Sequence, residues 1–326
     1  MSSSKILITG ISGQDGIFLS SYLLKKEEDI QIFGVTRSKD EDFYNNLKKV
    51  SGEFDSKNIK LVNLDLYNKN EIKSFLSDTQ IDKIAHLSGP SSVYKSFLDP
   101  ENYKNLIIDQ FHNLTNACIE INLQPNFFQA SSSEMFSNNA EIPLSEKSLM
   151  KPRSPYAEAK YSLHNKVLDL KNNRNWNIKS GIMFNHESEF RSNEFLIMKI
   201  INTVIEIKNL GSSELTVGSL DYFRDWSYAM DIAEGIGDIL FEDVPVDYVI
   251  GSGKGNSIRD LIEIVSNYFG LDYKNFIKVD PSLLREGDPT NIVADPSLIK
   301  ENLSWGAKTS FEVMIKKIIE SKLKSI

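Results

Sequence analysis

The stretch that most constrains this chain is Lys5-Ile6-Leu7-Ile8-Thr9 with the loop behind it, Gly10-Ile11-Ser12-Gly13-Gln14-Asp15-Gly16. Five residues of buried strand type run into a glycine loop, and Phe18 to Lys25 then reads as a helix. That context is the one a phosphate-cradling loop requires. Gly10 permits the tight turn, Gly13 lets the backbone approach a pyrophosphate and Gly16 allows close helix packing. Ser12, Gln14 and Asp15 flank the anion, which the helix N-terminus attracts. The spacing is GxxGxxG rather than GxGxxG, and a plain tight turn is the competing account. A second strand at the right distance, Gln31 to Val35, favours a dinucleotide site.

That second strand ends in Thr36-Arg37-Ser38. An acidic residue here would hold a ribose 2′-hydroxyl, whereas Arg37 suits a 2′-phosphate, so NADP is favoured over NAD; a solvated loop charge is the simpler alternative. Ile59 to Leu64 is a third strand ending in Asp65-Leu66, where the carboxylate could accept from an adenine amino group. Asp82 to Leu87 is a fourth, ending in Ser88-Gly89-Pro90-Ser91-Ser92, whose small residues leave room for a cofactor. Between Glu101 and Asn122, apolar Leu106, Ile107, Phe111, Leu114, Cys118 and Ile121 recur at helical spacing.

Asn126 to Ala130 is a further strand, and it runs into Ser131-Ser132-Ser133-Glu134. Strand ends of an open α/β sheet are where ligands sit. Pro155 can open a helix that continues from Tyr156 to Leu170, which makes Tyr156 and Lys160 neighbours on one face. An ammonium beside a phenol is expected to lower the tyrosine pKa from about 10, turning Tyr156 into a usable general base. Alone, Tyr-x-x-x-Lys is most simply a surface pair; the serine-rich strand end and the glycine loop reverse that judgement.

Trp176 to Met183 adds another strand, and the alternation predicts a Rossmann-like, doubly wound parallel α/β sheet. From Phe184 onward the alternation loosens. Helices are expected at Phe195–Lys208, Tyr228–Leu240, Ser257–Phe269, Pro296–Leu303 and Ser310–Leu323, with short strands at Glu214–Gly218 and Asp247–Ile250. The expected division is an NADP-binding domain at 1–183, to which the strand near 247–250 returns, and a smaller, mostly helical substrate lobe at 184–326.

The 326 residues carry a net charge of -8, against the basic face that nucleic-acid capture needs. The one cysteine, Cys118, is read as a buried structural thiol, and His86, His112, His164 and His186 lack metal-ligand spacing, so no metal is expected. No apolar run approaches 18 residues and no targeting segment is recognised, which points to the cytoplasm.

Gly10-x-x-Gly13-x-x-Gly16, Ser132, Tyr156-x-x-x-Lys160 and the C-terminal lobe together resemble the extended short-chain dehydrogenase/reductase family. Within it, the segments Thr9–Gly16, Pro152–Ala157, Phe184–Ser188 and Gly218–Trp226 are similar to those of the GDP-mannose 4,6-dehydratases. The resemblance implies a redox-neutral elimination on a sugar nucleotide, most simply GDP-mannose. Tyr156, supported by Ser132 and Lys160, would take the proton from O4 as hydride leaves C4 for NADP. Glu134 would remove the C5 proton and protonate the departing C6 hydroxyl, and hydride would return to C6. The same resemblance implies that Leu66, Leu87, Ser88, Gly89, His186 and Arg191 line the cofactor with the glycine loop. It assigns Asn185, Lys199, Arg224, Arg285 and Glu286 to the sugar nucleotide, and it implies a homodimer or homotetramer paired through the helices at 101–122 and 156–170.

Four segments depart from the family. Its Pro-Arg-Arg-Gly is Glu189-Phe190-Arg191-Ser192, its Ala-Gln-Ser-His is Gly89-Pro90-Ser91-Ser92, its double arginine is Arg37-Ser38, and its Tyr-Gly is Phe136-Ser137. These changes touch the cofactor phosphate and the sugar pocket rather than the four catalytic positions. A 4-keto sugar-nucleotide reductase or epimerase of the same fold, which needs no Glu134 carboxylate, and a non-catalytic NADP-binding sensor are the alternatives.

Overall fold

The computed structural model describes residues 3–27, 29–37, 39–211, 214–284 and 288–324. In the first half, strands and helices alternate as the hydrophobic pattern dictates. They run β1 (Ser4–Thr9), α1 (Gln14–Lys26), β2 (Ile30–Val35), α2 (Asp40–Ser51), β3 (Ile59–Val62), α3 (Lys69–Thr79) and β4 (Lys83–His86). A short α4 (Val93–Ser96) and a long α5 (Pro100–Glu120) follow, then β5 (Asn126–Ser132), α6 (Pro155–Arg174) and β6 (Ile178–Met183). Pro100 and Pro155 open α5 and α6, and the Ser154 hydroxyl caps α6 by accepting from Ala157 N–H.

β1 shows why the sheet is covered on both faces. Ile6 and Ile8 join one apolar cluster with Ile17, Leu19 and Leu23 of α1, while Leu7 joins another with Ile107, Phe111 and Leu114 of α5. A strand's side chains alternate between faces, so a continuous apolar run needs helices on both. All six pairings in this sheet are parallel, in the order β3-β2-β1-β4-β5-β6-β10. The order reverses between β1 and β4, and that switch point opens the crevice beyond the strands' C-terminal ends where ligands bind in open α/β sheets.

The second half leaves the sheet and returns to it. β7 (Asn185–Glu187), α7 (Leu196–Leu210), β8 (Leu215–Val217), β9 (Phe223–Tyr228) and α8 (Ala229–Phe241) lead to β10 (Tyr248–Ile250), which pairs with β6. α8 packs on α1. Then come β11 (Gly255–Ser257), α9 (Ile258–Tyr268), β12 (Ile277–Val279), β13 (Asn291–Ile292), α10 (Ser297–Leu303) and α11 (Phe311–Leu323). The lobe is less purely helical than its sequence suggests: β9 pairs with β7, β11 and β13, and β12 pairs with β8. β8 falls within the strand expected at Glu214–Gly218; the others are two to six residues long, too short for a period to register. α1 starts at Gln14, four residues ahead of the apolar pattern at Phe18, because the helix begins inside the glycine loop.

Gly16 illustrates the packing at that point. A Cβ there would lie 2.5 Å from both Cα and O of Ile11, backbone atoms that cannot swing aside. We expect Gly16→Ala to cost about 1–3 kcal/mol as overpacking, read as a lower thermal midpoint and weaker binding of any ligand the glycine loop holds. Unchanged melting and binding would show that the loop has slack.

Candidate active site

The C-terminal ends of β1, β4, β5 and β6 surround a cavity of about 490 Å³. Gly10, Gly13, Gln14, Asp15 and Gly16 form its floor, with Leu87 and Gly89 beside them. Ser132, Glu134, Tyr156 and Lys160 line the facing wall, and Asn185, His186, Arg191 and Lys199 close the lobe side.

The floor suits an anion. Gly10 has φ +72° and a Cβ on it would meet Ser88 backbone at 3.0 Å, so only glycine lets the loop pass there. Gly13 stands at the N-cap of α1 without a side-chain cap, leaving first-turn N–H groups for a ligand. The same end is tied to the lobe: Gln14 Nε2 donates to the His186 carbonyl at 3.2 Å, and Ser188 Oγ donates to Gln14 Oε1 at 2.7 Å.

One ion pair crosses this junction and a second lies beside it within the lobe. His186 Nε2 is 3.1 Å from Asp15 Oδ1, and Arg191 Nε is 3.0 Å from Glu187 Oε2. Burial pushes the Asp15 carboxyl up and the His186 imidazole down, but each outweighs that for the other, holding Asp15 below and His186 above its ordinary value. Burial raises the Glu187 carboxyl despite Arg191, whose guanidinium lies 3.5 Å over the Phe195 ring.

On the facing wall, β5 delivers Ser132 and the turn after it delivers Glu134, whose N–H donates to Ser132 Oγ at 3.3 Å. α6 presents Tyr156 and Lys160 one turn apart, both buried. Lys160 Nζ donates to the Ala130 carbonyl at 2.9 Å and lies 5.8 Å from the centre of the Tyr156 ring. The lowering of the Tyr156 pKa anticipated from the lysine is not what this environment produces. Burial pushes the phenol up to about 12, with Glu134 and Tyr103 acting in the same sense against the Ser132 hydrogen bond and Arg191. Burial also brings Lys160 down to about 8, opposed by Asp15. A positive charge placed beside Tyr156 would bring its phenol back down.

The remaining anticipated positions sit around this cavity or beyond it. Ser12 Oγ is 2.6 Å from Thr36 Oγ1 at the end of β2, and Arg37 follows on the surface. Asp65 is exposed and its Oδ1 accepts from Tyr67 N–H at 2.9 Å; Leu66 is buried and its carbonyl accepts from Asn113 at 3.1 Å. Ser88 Oγ donates to Gln110 Oε1 at 2.6 Å. Arg224 Nη2 is 3.8 Å from Asp288 Oδ2, outside the lining of the cavity. Arg285 and Glu286 lie outside the described residues. Cys118 is free and buried, and burial raises its thiol to about 12.

Several lining residues were not anticipated as site residues, among them Tyr94, Glu194, Phe195 and Leu196. His86 is a further case. Thr9 Oγ1 accepts from Leu87 and Ser88 N–H, both at 3.2 Å, so its own hydrogen goes to His86 Nδ1 at 2.8 Å. Burial, aided by Lys160, pulls this imidazole to about 3 and keeps it neutral.

A glycine loop at the switch point, a serine with a Tyr-x-x-x-Lys pair on the next wall and a C-terminal lobe closing the cleft define an extended short-chain dehydrogenase/reductase. The structure is similar over 99% of this chain and 97% of its own to the dTDP-glucose 4,6-dehydratase of Bacillus anthracis, solved in complex with NAD, at a TM-score of 0.83 and 18% identity, which speaks for the fold. The family model for GDP-mannose 4,6 dehydratase matches residues 7–318, and the chain belongs to that family, whose reaction class is the 4,6-dehydration of a sugar nucleotide. GDP-mannose 4,6 dehydratase 1 of Arabidopsis thaliana is 29% identical over 97% of this chain and 89% of its own. GDP-mannose 4,6-dehydratase of Vibrio cholerae serotype O1 is 30% identical over 99% of this chain and 94% of its own.

Proposed function

We propose that the protein converts GDP-mannose to GDP-4-keto-6-deoxymannose with NADP as a recycled cofactor. The observation that carries this reading is the convergence of Ser132, Glu134, Tyr156 and Lys160 on one cavity floored by the glycine loop. When bound, the nicotinamide supplies a hydride acceptor for C4 and gives the same hydride back to C6. Tyr156 takes the O4 proton, Ser132 holds that oxygen by a hydrogen bond, and Lys160 stabilises the phenolate. The C4 ketone acidifies C5–H, Glu134 removes that proton as a base, and the same carboxyl returns a proton to the C6 hydroxyl as it leaves as water. When hydride is added at C6, the proton that Tyr156 took from O4 restores C5–H, so that protons and hydride balance. Phe195 and Leu196 give the lobe side of the cavity apolar lining that keeps water from the reacting carbons.

Arg37 favours a cofactor with a 2′-phosphate, and His186 and Arg191 complete the cofactor wall. Lys199 and Arg224 neutralise the diphosphate, with Asn185 on the sugar. Residues 1–183, joined by β10 in their sheet, form the cofactor domain and the rest of 184–326 the substrate lobe, and the enzyme works in the cytoplasm as a homodimer or homotetramer paired through α5 and α6. Light scattering that returned a stable monomer would remove the last point.

The first experiment is to incubate the protein with GDP-mannose and catalytic NADP, without reductant, and follow the sugar by NMR. A 4-keto-6-deoxy product is expected, and no turnover would reject GDP-mannose as substrate. Glu134→Gln should lower product formation by about 10²–10⁴-fold while C4 oxidation persists, visible as stoichiometric reduced cofactor. Undiminished turnover would favour a reaction that needs no C5 base.

A further inference from the structure

One wall of the cavity is held from behind by a helix that does not itself line it. Gly89, Pro90, Ser91 and Ser92 line the cavity between the cofactor floor and Tyr156. Among the described residues, Gly89, Pro90 and Ser91 make no hydrogen bond of their own, and a Cβ on Gly89 would meet nothing within 4 Å. The shape of this wall therefore depends on its two ends.

Both ends are fastened by α5. At the far end, Ser92 N–H donates to the Tyr103 hydroxyl at 2.7 Å. At the near end, Ser88 Oγ donates to Gln110 Oε1 at 2.6 Å, and Gln110 Nε2 donates to the Tyr67 hydroxyl at 2.7 Å. Tyr103 and Gln110 are seven residues apart, so two turns of α5 place them on one face, and both are buried, at 7% and 8% exposure. The two ends face different ligands. The Ser88 backbone packs on Gly10, whose Cβ it would meet at 3.0 Å, so the near end borders the glycine loop. The Tyr103 hydroxyl, its ionisation pushed up to about 12 by burial, is close enough to the Glu194 carboxylate and the Tyr156 phenol to interact with both, so the far end borders the reacting wall.

We infer that Tyr103 and Gln110 are positioning residues that clamp the 88–92 wall, Gln110 setting its cofactor end and Tyr103 its sugar end. Ser92 stands where the family's usual run has a histidine, and its hydroxyl is turned away to cap α4 by accepting from Lys95 N–H at 3.3 Å. The wall consequently offers backbone and small side chains to the sugar, and Tyr103 holds them in register. The sugar half of this inference rests on the proposed function; the cofactor half does not.

The test uses Tyr103→Phe, Gln110→Leu and Ser88→Ala in the full-length enzyme, with NADPH fluorescence for cofactor affinity, GDP-mannose kinetics for substrate, and melting curves. Losing one buried hydrogen bond corresponds to about three- to ten-fold in affinity. Tyr103→Phe should raise KM for GDP-mannose by that factor with NADPH affinity within about two-fold. Gln110→Leu and Ser88→Ala should weaken NADPH by that factor, and Ser88→Ala keeps the near-end test should Gln110→Leu fail to fold. A merely structural role predicts lower melting and equal loss for both ligands, and either that pattern or no change overturns the inference. Wild type that turns over no GDP-mannose overturns the substrate reading instead, and the NADPH measurements then decide: selective weakening by the two near-end variants sustains the clamp, and any other pattern removes it.

Discussion

Tyr156→Phe is expected to lower kcat by about 10³-fold while NADPH and GDP-mannose affinities stay within about three-fold. The phenylalanine keeps the ring in the α6 face and removes the proton carrier, so binding survives and proton transfer does not. The pH profile should carry the same signature. In the free protein the phenol sits at about 12 and Lys160 at about 8. The positive charge of the oxidised cofactor lowers the phenol, so the wild-type rate should rise with pH along an acid limb that Tyr156 sets. It should fall again as Lys160 loses its proton above about pH 8.

Unfolding does not mimic that fall. The Lys160 pKa is depressed by burial from 10.5 to about 8 in the folded state, so the unfolded chain holds its proton more tightly. Its buried charge weakens the fold fully below pH 8 and progressively less as pH rises toward 10.5. This group therefore makes the protein more stable over the range where the rate declines. A kcat for Tyr156→Phe within ten-fold of wild type would take Tyr156 out of proton transfer.

Asp225→Ala should destabilise the protein by about 3–6 kcal/mol, since each orphaned buried donor costs roughly 1–3 kcal/mol. Its carboxylate, at 0% exposure, accepts from Ser252 N–H at 2.9 Å, the Ser252 hydroxyl, Gly253 N–H at 2.8 Å and Ala294 N–H at 3.1 Å. It thereby joins β9 to the loop after β10 and to the segment after β13. Alanine removes the acceptor and leaves three backbone donors buried. The midpoint should drop by about 10 °C, and GDP-mannose affinity should fall with it because Arg224 precedes Asp225 on β9. Asp225→Asn, which retains one acceptor oxygen, should fall between. A midpoint within 2 °C of wild type for the alanine variant would mean that water replaces the carboxylate.

Much of the cofactor half was legible beforehand because its signals are local. A strand followed by glycines and a helix, or a tyrosine one turn before a lysine, is a spacing that survives without the rest of the molecule. The lobe sheet was not legible, because β7, β9, β11 and β13 are short and draw their stability from each other. Tyr103 and Gln110 read as interior positions of an ordinary helix, and their partners lie 11 and 22 residues away on another segment. The Tyr156 pKa illustrates the same limit: the neighbouring lysine was visible, whereas the burial that raises the phenol was not.

The sequence by itself determined the parallel α/β class and the position of the glycine loop, and it singled out Ser132, Glu134, Tyr156 and Lys160, which the fold brings to one cavity. Periodicity and residue type act over a few residues, and strand–loop–helix units can be read at that range. Only the tertiary structure decided which wall each group faces, how α5 holds Ser88 and Ser92 by hydrogen bonds, and that Asp15 and His186 hold each other's charge between the glycine loop and β7. Those outcomes depend on burial and on pairs separated by up to 171 residues, and desolvation and ion-pair geometry exist only once the chain has packed.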